Sequence, residues 1–291
     1  TGATTISGSR LYVDGNDNDA TLKLNSVVLN NGGNPVELRL EGNTGTKITI
    51  AGGISGSGDL VINGTSGTGN KVVIDTTSST RSGATTIQNG TVDLNVANAL
   101  GTGAFISSGG VTNINAPQAF SGATITGGTV SAVTDALGTG PLAISGGTTT
   151  IGGSQGVSSV AISGGTVDAQ VAGALGAGSL DLSGGILKVG GLNIIGGTGA
   201  SLNSWTGGLL DVTGDGAIPA VSIPAGGGLK LNTVQTGWVS NAGSFSINLA
   251  ADALLAGDMT GAVYGTDITL PAGGGAVLAI SANAPTHCCP R

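Results

Sequence analysis

"GTVDLNVANALGTG" at 90–103 returns as "GTVSAVTDALGTG" at 128–140 and as "GTVDAQVAGALGAG" at 165–178. The equivalent leucines of these copies are Leu100, Leu137 and Leu175, evenly spaced along the chain. A self-similar period of this length marks a chain built from stacked units, and it takes precedence over any local motif. A second Gly pair halves each long copy. The second glycines fall at Gly90, Gly110, Gly128, Gly147, Gly165 and Gly185, at intervals of 20, 18, 19, 18 and 20. The basic unit is therefore about 19 residues long, at the short end of the range for stacked repeats.

Aligning six units on that glycine exposes four columns. Three residues before it stand Ile87, Ser107, Ile125, Ile144, Ile162 and Leu182, and five before stand Thr85, Phe105, Ala123, Leu142, Val160 and Leu180. Two after it stand Val92, Thr112, Val130, Thr149, Val167 and Leu187, and four after stand Leu94, Ile114, Ala132, Ile151, Ala169 and Val189. These columns are mostly apolar, whereas Asp93, Asn113, Ser131, Thr150, Asp168 and Lys188 between the last two are polar. Such period-two alternation predicts strands with one buried face. The first member of the pair is Asn89 in one unit and Gly in the others, and Asn tolerates positive φ, so the pair predicts a left-handed corner.

Two architectures fit. In a single-stranded parallel β-helix, or β-solenoid, each unit is one coil and the columns stack into a continuous core. In an antiparallel hairpin array the Gly pair is a two-residue turn. The solenoid is preferred because "ALGTG" recurs as a further fixed element in alternate units, which a plain meander does not require. Dividing the 291 residues by the unit length gives roughly fifteen coils, a body on the order of 70 Å long. The chain divides into irregular coils at 1–81, regular repeats at 82–193, and atypical coils, cap and tail at 194–291.

Composition narrows the function. Gly contributes 57 residues and 39% of the chain is apolar against 9% charged, which excludes a charge-rich disordered tail. Gly follows no three-residue period, which excludes collagen. Sixteen acids outweigh nine bases for a net charge of −7, and no Lys or Arg lies between Arg81 and Lys188, so nucleic acid is a poor partner. No apolar run is long enough for a membrane-spanning helix. The chain opens on Thr1 and its one Met is Met259, which suggests a processed chain or a piece of a longer precursor.

With "GATTIQNGTVDLNVANALGTG" at 83–103 in hand, the chain resembles the strand repeats in passenger regions of bacterial autotransporters and related surface proteins. The likeness is clearest over 82–193, with an echo in "TGATTISG" at the N-terminus. The resemblance implies an exported, right-handed β-helix serving in adhesion, matrix or display. No C-terminal translocator barrel is recognisable.

Few residues suggest chemistry. The recurrent glycines lack the Lys of a phosphate loop and the helix of a dinucleotide site. Glycosidases need two carboxylates roughly 5 to 9.5 Å apart, whereas Asp93 and Asp168 share a column about 19 Å apart. Asp168 is expected to pair with Lys188 one coil later. A polysaccharide-degrading activity is thus disfavoured and no cofactor is expected. "DGNDND" at 14–19 offers Asp14, Asn16, Asn18 and Asp19, with Asp17 between them, as oxygen ligands for Ca²⁺, although the EF-hand glycine and terminal Glu are missing. Cys288 and Cys289 are adjacent, so a disulfide to another chain is less strained than one between them, and His287 beside them completes a set suited to a soft metal. Thr91, Thr129, Thr148 and Thr166 form one partial Thr column, without the second that an ice-binding array requires. The expectation is a secreted, non-enzymatic structural protein of the cell surface or extracellular matrix that associates with itself into fibres. The alternative is an adhesin that displays a site for a surface glycan or a neighbouring cell.

Overall fold

A computed structural model of the chain describes residues 2–14, 20–42, 45–64, 69–75, 78–191, 199–214, 221–231, 245–249, 254–257, 266–269 and 277–280. Within these residues the chain is all-β and contains no helix; parallel strands stack into a β-solenoid of about ten turns with roughly 20 residues each. Every strand pairing among them is parallel, which excludes the hairpin array.

Two faces carry the stack. On the first face, Arg10–Asp14, Val36–Glu41, Leu60–Gly64 and Thr85–Asn89 lead into the opening half of Phe105–Ile114 and of Ala123–Ala132. Pro141–Ile144, Ser159–Ile162, Ser179–Leu182 and Ser201–Trp205 continue it. On the second face, Thr21–Leu24, Lys47–Ile50, Lys71–Ile74 and Thr91–Leu94 begin a column that runs through Gly208–Val212. That column extends into Gly227–Leu231, Leu254–Gly257 and Val277–Ile280.

The register pairs Thr85 with Phe105, Phe105 with Ala123, Ala123 with Leu142, and Leu142 with Val160, as the aligned columns require. Every residue of the four columns is buried, with relative exposure between 0 and 2%. The apolar side chains thus leave water turn by turn, each at a gain of about 1.5–3 kcal/mol for the larger ones. Phe105 and Phe120 stack inside with ring centroids 5.1 Å apart.

Turn length varies along the rod. The register partners Val92, Thr112 and Val130 follow one another closely in sequence, whereas the equivalent partners Leu22, Ile48 and Val72 of the early turns are more widely separated. The early turns are longer because their third side also forms strands, Thr4–Ile6, Val27–Leu29 and Ile54–Gly56.

The Gly pair bends each strand where one face gives way to the next, but its two members do different work. Positive φ sits on the second glycine, for example +71° at Gly147 and +75° at Gly165. The first member has ordinary φ. It is Gly because a Cβ at Gly146 would lie 2.3 Å from the Thr126 carbonyl oxygen of the preceding turn. Asn89 is therefore no sign of a left-handed residue; its Oδ1 accepts a hydrogen bond from the Gly90 amide at 2.9 Å, where the stack has a register irregularity.

The third side explains the two-turn recurrence of "ALGTG". Asn98 and Asp135 have φ of 52° and 54°, Gly173 has 74°, and each begins a tight turn that drives Ala99–Leu100, Ala136–Leu137 or Ala174–Leu175 into the core. Two of these turns leave an inward amide without a backbone acceptor, and each is met by a glutamine of the next coil. Gln118 Oε1 accepts from the Ala99 amide at 2.8 Å, and Gln155 Oε1 accepts from the Leu137 amide at 3.0 Å. Their Nε2 groups donate to Val96 and Ala116, and to Val133 and Gly153, respectively.

Candidate functional site

Among the described residues the interior is lined by buried, mostly apolar side chains, so the polar groups that could meet a ligand lie mainly on the outer faces. Of the candidate Ca²⁺ ligands, Asp14 closes the strand Arg10–Asp14 and lies in register with Glu41. Asn16, Asp17, Asn18 and Asp19 lie outside the described residues, as do His287, Cys288 and Cys289. Asp93 and Asp168 remain in one column with Asn113, Ser131 and Thr150 between them. Asp93 accepts a hydrogen bond from Asn113 Nδ2 at 2.8 Å and pairs with the Lys71 ammonium. Asp168 and Lys188 are register partners, yet no ion pair closes between them, in contrast to expectation. Both side chains remain beside water, where the pair gains little over hydration.

The first face of the first three turns holds a lattice of polar side chains that the aligned repeats did not reveal. Outward-pointing Arg10, Tyr12 and Asp14 lie beside Glu37, Arg39 and Glu41, and Arg39 lies beside Asn63. Tyr12 donates to Glu41 Oε2 at 2.7 Å, and Arg39 Nε donates to Glu41 Oε1 at 2.7 Å. Glu37 takes Arg10 at 2.5 Å through Oε2 and Asn63 Nδ2 at 3.0 Å through Oε1, with Arg39 Nη1 4.0 Å away. The hydrogen bond to Glu41 and the surrounding negative charge push the Tyr12 hydroxyl up to about 12, and the same carboxylate raises the Arg39 guanidinium. The arrangement fixes the plane of the half-exposed Tyr12 ring on the surface. Both arginines of this face are neutralised within it.

The second face of the same turns differs in charge. By strand parity its outward positions are Thr21 and Lys23, Lys47 and Thr49, and Lys71 and Val73, of which Val73 is nonetheless buried. Lys47 and Lys71 are direct register neighbours, and Lys23 is one turn earlier beside Thr49. Lys23 and Lys47 are exposed, and among the described residues neither has an acidic partner within 4.0 Å. The alignment of these lysines became legible only once the longer early turns were known.

Arg81 sits at the entrance to the regular repeats with 1% of its surface exposed. Its Nη1 donates to Thr85 Oγ1 at 2.6 Å and to the Leu100 carbonyl at 3.1 Å; Nη2 donates to the Gly58 and Ala84 carbonyls at 3.0 and 2.7 Å. Burial lowers its guanidinium to about 10, partly opposed by Asp59, so it stays charged at neutral pH. It ties three successive turns together and offers nothing to a ligand.

Comparison with known protein families, with curated proteins and with solved structures finds no match.

Proposed function

We propose that this chain is a non-enzymatic structural protein of the cell surface or extracellular matrix, a rod that associates side by side with copies of itself into fibres. The observation that carries the reading is the first face of the central turns. From Thr86 through Ser163 its outward positions are Thr, Gln, Ile, Ser, Pro and Ala, with no charged group, while Asp93, Asp135 and Asp168 of the same turns lie elsewhere. A regular sheet face of small neutral side chains approaches another such face without stripping water from charge. The filled interior further commits the inward half of each turn to stacking rather than to a pocket. Placement outside the cell rests on the resemblance of the 82–193 repeats to exported passenger regions.

Electron microscopy of the purified chain, with sedimentation across a concentration series, tests this. Fibres or laterally paired rods are expected, and Ala143→Lys with Ala161→Lys should disperse them while leaving the far-ultraviolet circular dichroism spectrum unchanged. Single rods persisting at high concentration would sink the proposal.

A further inference from the structure

We propose that the second face of the first three turns is a binding site for a linear acidic polysaccharide, whose successive anionic sugars are taken by Lys23, Lys47 and Lys71. Charge is scarce in this chain, and bases scarcer: nine in 291 residues, six of them before residue 82. Those six divide by role. Arg10 and Arg39 are neutralised by Glu37 and Glu41, and Arg81 is buried among carbonyls. The remaining three all project from one face, on three consecutive strands; Lys23 and Lys47 have no acidic partner within 4.0 Å among the described residues, while Lys71 is paired with Asp93 at the edge of the patch.

That placement works against stability. Like charges directly opposite one another on neighbouring strands repel, and Lys47 and Lys71 are such a pair. Of the six outward positions in these three strands none is acidic; the first carboxylate of the column is Asp93 on the fourth strand, where it holds Lys71. A polyanion lying along the rod axis relieves the repulsion. The cations rise by about 4.8 Å per turn, on flexible stems that let each ammonium find a carboxylate or sulfate. Thr21 stands opposite Lys47 and Thr49 opposite Lys23, placing hydroxyls beside the cations, suited to the hydroxyl groups of a sugar chain.

Other polyanions fit less well. Nucleic-acid binding draws on many phosphate contacts and on aromatic stacking, whereas this face has three cations and no aromatic among its six outward positions. An anionic membrane contributes only about 1 kcal/mol per lysine near the surface, against a chain of net charge −7. The site rests on a different observation from the fibre reading and does not require it.

The test is isothermal titration of the full chain with polygalacturonate and with heparin, with neutral dextran as control, at about 50 and 200 mM salt. Binding of at least one acidic polymer is expected, falling with salt as counterions are released, and dextran should give no heat. Changing Lys23, Lys47 and Lys71 together to Gln should weaken binding at least about tenfold; Lys23→Gln with Lys47→Gln, which keeps the Lys71–Asp93 pair, should hold or raise the melting temperature as the repulsion goes. Changing Lys188 and Lys230 to Gln should leave binding intact. Preference between the polymers distinguishes carboxylate from sulfate recognition. The proposal is overturned if neither acidic polymer binds, if the triple variant binds as the wild type does, or if single-stranded DNA or phosphatidylserine vesicles bind more tightly.

Discussion

At Gly147 a Cβ would lie 2.4 Å from the Gly128 carbonyl oxygen, on a backbone already at φ +71°, so both space and torsion demand glycine there. Ile144, three residues earlier, is 1% exposed and in register with Ile125 and Ile162. Ile144→Asp should therefore cost several kcal/mol by burying an unpaired charge; a wild-type melting curve would show that the column does not face inward. Tyr12 tests the surface lattice. Its hydroxyl titrates near 12 instead of the ordinary 10, so the folded state holds this proton more tightly than the unfolded chain. The contribution to stability is complete below pH 10 and is lost as pH rises through 12. Ultraviolet tyrosinate titration of the folded protein, differenced against Tyr12→Phe, should show a component near 12 that Glu41→Gln moves back toward 10. A Tyr12 component at 10 in the wild type would contradict the hydrogen bond.

At the scale of the turn, the chain alternates two solutions to the same corner. One turn inserts Ala-Leu through a left-handed residue, and the next supplies Gln118 or Gln155 to the amide left over. The recurrence of "ALGTG" was readable, but its partner was not recognised, although the two glutamines are as far apart in sequence as Leu100 and Leu137 are. A buried amide side chain looks polar in a linear reading; only the neighbouring turn shows what it satisfies. Gln155→Leu should leave the Leu137 amide and the Val133 and Gly153 carbonyls short of partners, at a cost of about 1–3 kcal/mol in denaturant unfolding. The exposed Gln88→Leu serves as a control within about 0.5 kcal/mol of the wild type. Equal midpoints for both variants would remove the glutamine from its role.

Across the whole molecule, stability is a sum of turns and of the interfaces between neighbouring turns, so irregular turns matter where they join regular ones. Arg81 marks that junction, bonding Gly58, Thr85, Ala84 and Leu100 across three turns. In the sequence it is merely one of six early bases. Its burial follows from carbonyls that converge only when the turns stack, and the same stacking leaves Lys23, Lys47 and Lys71 as the outward cations of one face.

The sequence by itself determined the turn length of the middle repeats, the parity of their strands and the four inward columns. The reason is that a repeating unit must present the same face to the same core, and burial selects apolar residues position by position. The recurrence of "ALGTG" already favoured parallel strands, which the fold bears out; the tertiary structure alone decided which member of the Gly pair is left-handed and which outward residues of unequal turns become neighbours. The pairings of Tyr12 with Glu41 and of Lys47 with Lys71 bridge early turns of unequal length. No local period predicts them, because loop length between faces changes freely while the strand register is held by the backbone ladder.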